Sequence, residues 1–473
     1  MAKAKKTLAF VVYPGISLLE LVGNRTLLGD IMKLRAGYEP VVVGARLEAI
    51  PTDTPLSIIP QKTFAEVPHP DGLVVIGGGA GTIAALDNSE LLTYVRRSGQ
   101  NARWVASTST GSLLLAAAGL LEGREATTHW AYQERLEKFG ARYKAEGWIT
   151  DGKFTTAAGV SDAIDMAIGL GAKMTNRATA QLAQLMIEYD PDPPLGRLDW
   201  KTFDRQTLAP LMTLERAPDN STSEQTIAFV LYPGLTVFDL AGPLQVFSAL
   251  SRLAPHIRPQ VVAEQVGPVK TDIGVMMVPN CTFADLPHPY AFFVPGGDTA
   301  TLKAMSNPAI RSYIQTAAQD ATWIVSVCTG ALILAGVGLL EGRDVTTHWA
   351  YVRILKQLGA KYVQKRWTAN GNIVNSAGVS AGIDMALYMA SKLTDEETAR
   401  QVQWLIQYDP RPPFGGIDYS HYKLLPRLVR FISGLRAYLY TPKVRRLTRQ
   451  EAFLHTVPST SWSGPEHQIT SEK

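Results

Sequence analysis

Short, uniformly apolar, β-branched runs alternate along this chain with longer segments of helical periodicity. Leu8–Val12, Pro40–Val43, Leu73–Ile76 and Trp104–Ser107 predict strands, and Ser89–Ser98 and Gly111–Leu121 predict helices between them. The strands lack apolar–polar alternation, which is the pattern of parallel strands covered on both faces. Strand–helix alternation of this kind predicts a doubly wound α/β sandwich, in which ligands sit beyond the carboxyl ends of the strands.

The pattern is written twice. Tyr13-Pro14-Gly15 recurs as Tyr232-Pro233-Gly234, an offset of 232 − 13 = 219. The same offset maps Thr127-Thr128-His129-Trp130 onto Thr346-Thr347-His348-Trp349, Ile164-Asp165-Met166-Ala167 onto Ile383-Asp384-Met385-Ala386, and Tyr189-Asp190-Pro191 onto Tyr408-Asp409-Pro410. A constant offset means two copies of one fold without net insertion between the matched points. Residues 1–195 are assigned to copy one, 196–224 to a polar linker, 225–413 to copy two and 414–473 to a basic extension with no counterpart.

Composition narrows the class. The 473 residues include 46 Lys or Arg and 42 Asp or Glu, for a net charge of +4, and 46% are hydrophobic. That excludes a disordered or collagen-like chain, and the charge is too small and dispersed to argue for nucleic acid. Cys281 and Cys328 are the only cysteines, so no disulfide framework is expected and a reducing compartment fits. The basic start is followed by an apolar run too short for a signal peptide, and Leu113–Leu121 is too short to span a bilayer. A cytoplasmic protein is expected. The histidines show neither H-x-x-x-H nor C-x-x-C spacing, giving no case for a metal.

Candidate chemistry gathers at strand ends of copy two. Cys328 lies on the turn between the predicted strand Trp323–Val327 and a helix beginning at Gly330. A sharp turn there would expose the sulfur above the sheet, and the helix N-terminus predicts a thiol pKa below its free value. A buried structural cysteine is the alternative. Asp239, flanked by Phe238 and Leu240, is either a helix cap or a carboxyl in a dry place, where its pKa would rise. Gly296-Gly297 follows another strand and would let the backbone approach a ligand and present N–H groups. His348 opens a helix, as a structural residue or a proton-transfer partner.

Together these residues resemble the ThiJ/PfpI superfamily, over nearly the whole of both copies. The segments Ser326-Val327-Cys328-Thr329-Gly330-Ala331, Leu339-Leu340-Glu341-Gly342-Arg343 and Thr346-Thr347-His348-Trp349 look like its isonitrile hydratase branch. The same motifs occur in sensor domains of AraC-type regulators. The resemblance implies two flavodoxin-like, class I glutamine amidotransferase-like sandwiches in tandem, forming a pseudo-dimer within one chain. It implies Cys328 as nucleophile, Asp239 as carboxylic partner, and Thr329 with the Gly297 backbone shaping the pocket. The implied activity is that of a lyase adding water to an isonitrile to give an N-substituted formamide, without metal or organic cofactor. The partner is then a small-molecule substrate, with neither nucleic acid nor membrane involved. A non-catalytic small-molecule sensor and glyoxalase or deglycase chemistry are the competing expectations.

Copy one departs from this pattern: the offset places Ser109 at the Cys328 position and Glu20 at the Asp239 position, while His129 keeps the histidine. A serine without an activating base is a weak nucleophile. Copy one is therefore expected to hold a degenerate site and to serve mainly as cover for copy two. In the extension, Val429–Tyr440 has the pattern of an amphipathic helix.

Overall fold

The structure is a computed structural model that describes residues 6–35, 37–200, 208, 210, 223–417 and 446. Most of the linker and the expected Val429–Tyr440 helix lie outside the described residues. Each copy is built on a seven-stranded sheet. In copy one, Lys6–Val11 is flanked by Tyr38–Gly44 on one side and Gly72–Val75 on the other. Trp104–Ser107 and Phe154–Ala157 follow outward, all in parallel. Trp148–Asp151 closes that edge as an antiparallel hairpin partner of Phe154–Ala157. Copy two repeats the order with Gln225–Val230 at the centre, Ile257–Ala263 on one side and Ala291–Val294, Trp323–Val327 and Ile373–Ser376 on the other. This is the flavodoxin-like arrangement: the chain winds one way from the first strand and then the other way, leaving a crevice where the direction changes.

The expected strands are present, Trp104–Ser107 and Trp323–Val327 with the expected ends and the others with ends moved by one or two residues. Their apolar runs are buried on both faces, which is why periodicity alone located them. The helix predicted over Gly111–Leu121 is shorter, Gly111–Ala117, and Gly119 beyond it takes φ +74°. A left-handed residue there ends the helix.

The two copies share more than a linker. Ser57–Ile59 pairs antiparallel with Met276–Val278, setting Ile58 opposite Met277. These two residues are equivalents under the 219 offset (58 + 219 = 277), so a pseudo-two-fold axis passes between them. The helix Leu18–Arg35 packs against its counterpart Val237–Leu253, and most of the buried apolar residues form one contiguous cluster through both copies. The arrangement is that of an isologous dimer joined into one chain.

Several carboxyls are enclosed near this junction. Burial pushes Asp53 up to about 6, Asp162 up to about 7 and Asp165 up to about 8. Each holds its proton more tightly folded than unfolded, so the unfolded chain releases protons first as pH rises. Stability from these groups is fully present below about pH 4 and is lost progressively as pH climbs from there to their folded values of about 6 to 8. Thermal unfolding is accordingly expected at a higher temperature at pH 5.5 than at pH 8.5, by a few degrees at least. A flat or rising profile over that interval would contradict this electrostatic picture.

Candidate active site

Three strand ends of copy two converge at the crevice. The first strand leads into the helix Val237–Leu253, whose first turn carries Asp239, 1% exposed. Ala291–Val294 leads to Gly296-Gly297, and Trp323–Val327 leads to Cys328 before the helix Gly330–Gly336. Cys328 takes φ +56°, a left-handed value costly for a residue with a Cβ. Ser109 shows the same strain at φ +44°. The elbow expected from sequence is thus present in both copies, and Cys328 as a residue is neither fully buried nor exposed.

The elbow is braced from two sides. The Cys328 N–H donates to the Ser376 carbonyl at 2.8 Å, and Thr347 Oγ1 donates to the Cys328 carbonyl at 2.9 Å. Thr329 Oγ1 accepts the Gly297 N–H at 3.0 Å and bonds Thr301 Oγ1 at 2.8 Å. Thr301 in turn meets the Tyr232 hydroxyl at 3.2 Å. The Gly297 N–H is therefore engaged by the protein, contrary to the expectation that it is presented to a ligand. The glycine pair provides clearance instead: a Cβ on Gly296 would lie 2.6 Å from Thr329 Oγ1 and 2.7 Å from Asp239 Oδ2. Gly296→Ala is expected to push these groups apart and lower kcat/KM by about tenfold or more, as small misplacements of reacting groups do. An alanine variant with unchanged kinetics would remove Gly296 from the account.

Burial pushes the Asp239 carboxyl up to about 8, against a smaller opposing effect of the Cys328 thiol. Neither carboxyl oxygen has a hydrogen-bond partner of ordinary geometry, although the thiol and the Gly296 N–H lie close enough to bias its charge. The dry-carboxyl reading of Asp239 therefore holds. The thiol moves opposite to the sequence expectation. Burial raises the Cys328 pKa well above its ordinary value, and the negative charges of Asp239 and Glu188 raise it further. A short helix behind the sulfur does not outweigh desolvation and two carboxylates. At neutral pH the resting pair is a thiol beside a carboxylic acid.

His348 is placed differently from a proton shuttle. Its Nδ1 accepts the Ala350 N–H at 3.3 Å, capping the 3₁₀ turn Trp349–Tyr351, and its Nε2 lies 3.3 Å from the Met186 carbonyl of copy one. Both ring nitrogens face backbone. His129 repeats this with Ala131 and with Leu405 of copy two, each at 3.3 Å, and burial lowers its pKa to about 4. Cys281 lies apart, half-buried at a sheet edge, with its thiol pushed up to about 11 by desolvation.

Glu188 is the residue that sequence reasoning missed. It belongs to copy one yet sits in the copy-two site, with Oε1 accepting the Trp349 N–H at 3.3 Å. One signal was in the repeat itself: Glu188 precedes Tyr189-Asp190-Pro191, whereas Gln407 precedes the matching Tyr408-Asp409-Pro410.

The copy-one site keeps a cavity of about 280 Å³, lined by Glu20, Ser109 and His129 and, from copy two, by Gln245 and Arg252. Burial pushes Glu20 up to about 7. The Glu20 carboxyl lies against Ser109 as Asp239 lies against Cys328, whereas His129 is held by backbone on both sides and is not placed to act as its base. Among the described residues, no cluster of His, Cys, Asp and Glu has metal-holding geometry, and no helix is long and apolar enough to cross a membrane.

The sequence matches the DJ-1/PfpI family over residues 6–172 and again over 225–392. It is 38% identical over 188 residues to isonitrile hydratase from Pseudomonas putida, a match spanning 40% of this chain and 80% of that enzyme. Protein DJ-1 homolog A of Arabidopsis thaliana is 22% identical over 428 residues, 85% of this chain and 98% of that protein. The HTH-type transcriptional regulator CdhR of Pseudomonas aeruginosa is 27% identical over 183 residues, 38% of this chain and 53% of the regulator. Among solved structures, a ThiJ/PfpI family protein from Pseudomonas syringae is 31% identical with a TM-score of 0.43, covering 50% of this chain and 98% of that one. With two matched stretches that together take in more than half of its length, this chain belongs to the DJ-1/PfpI family and carries that family's domain twice.

Proposed function

We propose that copy two hydrates an isonitrile to an N-substituted formamide, with Cys328 as nucleophile and Asp239 as proton carrier. The observation that carries this reading is the buried Asp239 carboxyl, with no hydrogen-bond partner of ordinary geometry, beside a thiol on a strained turn. An isonitrile presents a neutral terminal carbon that takes a proton and then accepts a nucleophile. A neutral acid–thiol pair suits such a substrate better than a thiolate would.

The step balances without a cofactor. One Asp239 oxygen gives its proton to the terminal carbon while sulfur bonds to it, and the other oxygen takes the thiol proton. The carboxylic acid is regenerated and an S-linked thioimidate is formed. Water then adds to the thioimidate carbon, and the C–S bond breaks to release the formamide and restore the thiol. Thr329 and Gly296 set the distances, and His348 acts as a positioning residue that holds the turn behind the elbow. The similarity to the Pseudomonas putida isonitrile hydratase supports this substrate class over a carbonyl substrate.

The test is direct. Incubation with a simple alkyl isonitrile is expected to yield the N-alkylformamide, followed by its formyl proton in NMR. Absence of formamide from both alkyl and aryl isonitriles would overturn the reading and favour a binding protein.

A further inference from the structure

Copy one does more than cover copy two. The segment Met186–Asp190 crosses the pseudo-two-fold and touches both segments that brace Cys328. One of these is Thr347–Trp349, which receives the His348 and Trp349 contacts at Met186 and Glu188. The other is the turn after Ser376, where the Val379 N–H donates to the Ile187 carbonyl at 3.4 Å. Ser380 Oγ donates to the Glu188 carbonyl at 2.8 Å and accepts the Asp190 N–H at 2.9 Å. A Cβ on Gly378 would lie 2.5 Å from the Glu188 Cβ, so only glycine admits this approach. Glu188 itself takes φ +51°, a strained value for a non-glycine residue held deep in an interface.

The two copies treat this position differently. Gln407, the counterpart of Glu188, turns its amide to Asp162 at 2.9 Å. The counterpart of Asp162 in copy two is Ala381 (162 + 219 = 381). An acid therefore stands at this position beside the cysteine site with no second acid at the Ala381 position, while the amide at the equivalent position of the other copy bonds Asp162. The carboxylate is kept where the nucleophile is sulfur.

We propose that Glu188 is a positioning residue of the Cys328 site, donated by copy one. It anchors the Thr347–Trp349 strap and sets a second carboxyl, besides Asp239, in the surroundings of the sulfur. This rests on the reading of Cys328 as the reactive thiol. The charged and titratable groups coupled to Cys328 and Glu188 are Asp239, Tyr232, His348, Arg366 and Asp190. Glu188 adds its field to that of Asp239.

The test is the pH dependence of Cys328 alkylation by iodoacetamide in the full chain, resolved from Cys281 by peptide mass. Glu188→Gln is isosteric and keeps an acceptor for the Trp349 N–H. It is expected to shift the Cys328 profile to lower pH and to raise its alkylation rate near pH 8 several-fold, since a like charge has been removed. Glu188→Asp, which keeps the charge, is expected to stay closer to the parent. An unchanged profile in Glu188→Gln, with the parent melting temperature, would overturn the proposal, as would an equal shift in both variants. The readout needs no isonitrile: a shifted profile without formamide production sinks the hydratase reading and leaves Glu188's role standing.

Discussion

Cys328→Ala is expected to remove isonitrile turnover, with a loss of at least about 10³-fold in kcat, because no other described thiol lies in the crevice and the Ser109 hydroxyl is a far weaker nucleophile than a thiol. The fold is expected to persist, since only the sulfur is removed from a partly exposed turn. Backbone strain adds a second, opposite signature. Alanine at φ +56° keeps the unfavourable left-handed conformation, whereas glycine adopts it freely. Cys328→Gly is therefore expected to be as inactive as Cys328→Ala but more stable by about 1 kcal/mol, measured by denaturant unfolding. That pairing would show that the strain is retained for reactivity. Residual turnover within tenfold of the parent in either variant would move the chemistry away from this sulfur.

Asp239→Asn is the second large effect, and it too separates stability from activity. With its pKa pushed up to about 8, Asp239 is protonated in the folded protein at neutral pH and ionised in the unfolded chain. Folding must therefore take up a proton at this site, at a cost that grows as pH rises from about 4 towards 8. Asparagine carries no such cost, so the variant is expected to be more stable than the parent by several kcal/mol near pH 7.5, with the advantage vanishing near pH 4. Activity is expected to fall about 10²- to 10⁴-fold, the range for loss of a positioned acid–base group. In the parent, kcat/KM is expected to decline as pH rises through about 8, because the donor form of Asp239 is lost. A variant less stable than the parent at every pH would mean that Asp239 is ionised and paired in the fold, contrary to the burial argument.

The features legible in the sequence are the local ones. Cys328 announces itself by sitting between a strand and the helix that follows, Asp239 by opening the helix after the first strand between two apolar neighbours, and the duplication is written in a constant offset. Strands such as Trp104–Ser107 were legible because burial on both faces leaves an unbroken apolar run. What escaped depends on tertiary enclosure. The direction of the Cys328 shift is decided by desolvation and by two carboxylates from different parts of the chain, whereas the local motif offered only a helix N-terminus. The Gly297 N–H was expected to face a ligand, yet its partner Thr329 comes from another strand end. Glu188 was out of reach because its site belongs to the other copy. Only its mismatch with Gln407 inside a repeated Tyr-Asp-Pro motif hinted at a difference in role. The serine at position 109 suggested a passive first copy, but the exchange of Met186–Asp190 across the pseudo-two-fold makes that copy a wall of the cysteine site.

Rapid mixing with an alkyl isonitrile, acid quench and peptide mass spectrometry tests the central claim most directly. The account expects the mass of one intact isonitrile to appear on the Cys328 peptide during turnover, to decay as formamide accumulates, and to be absent from the Cys281 peptide. Formamide produced at the parent rate by Cys328→Ala would contradict it.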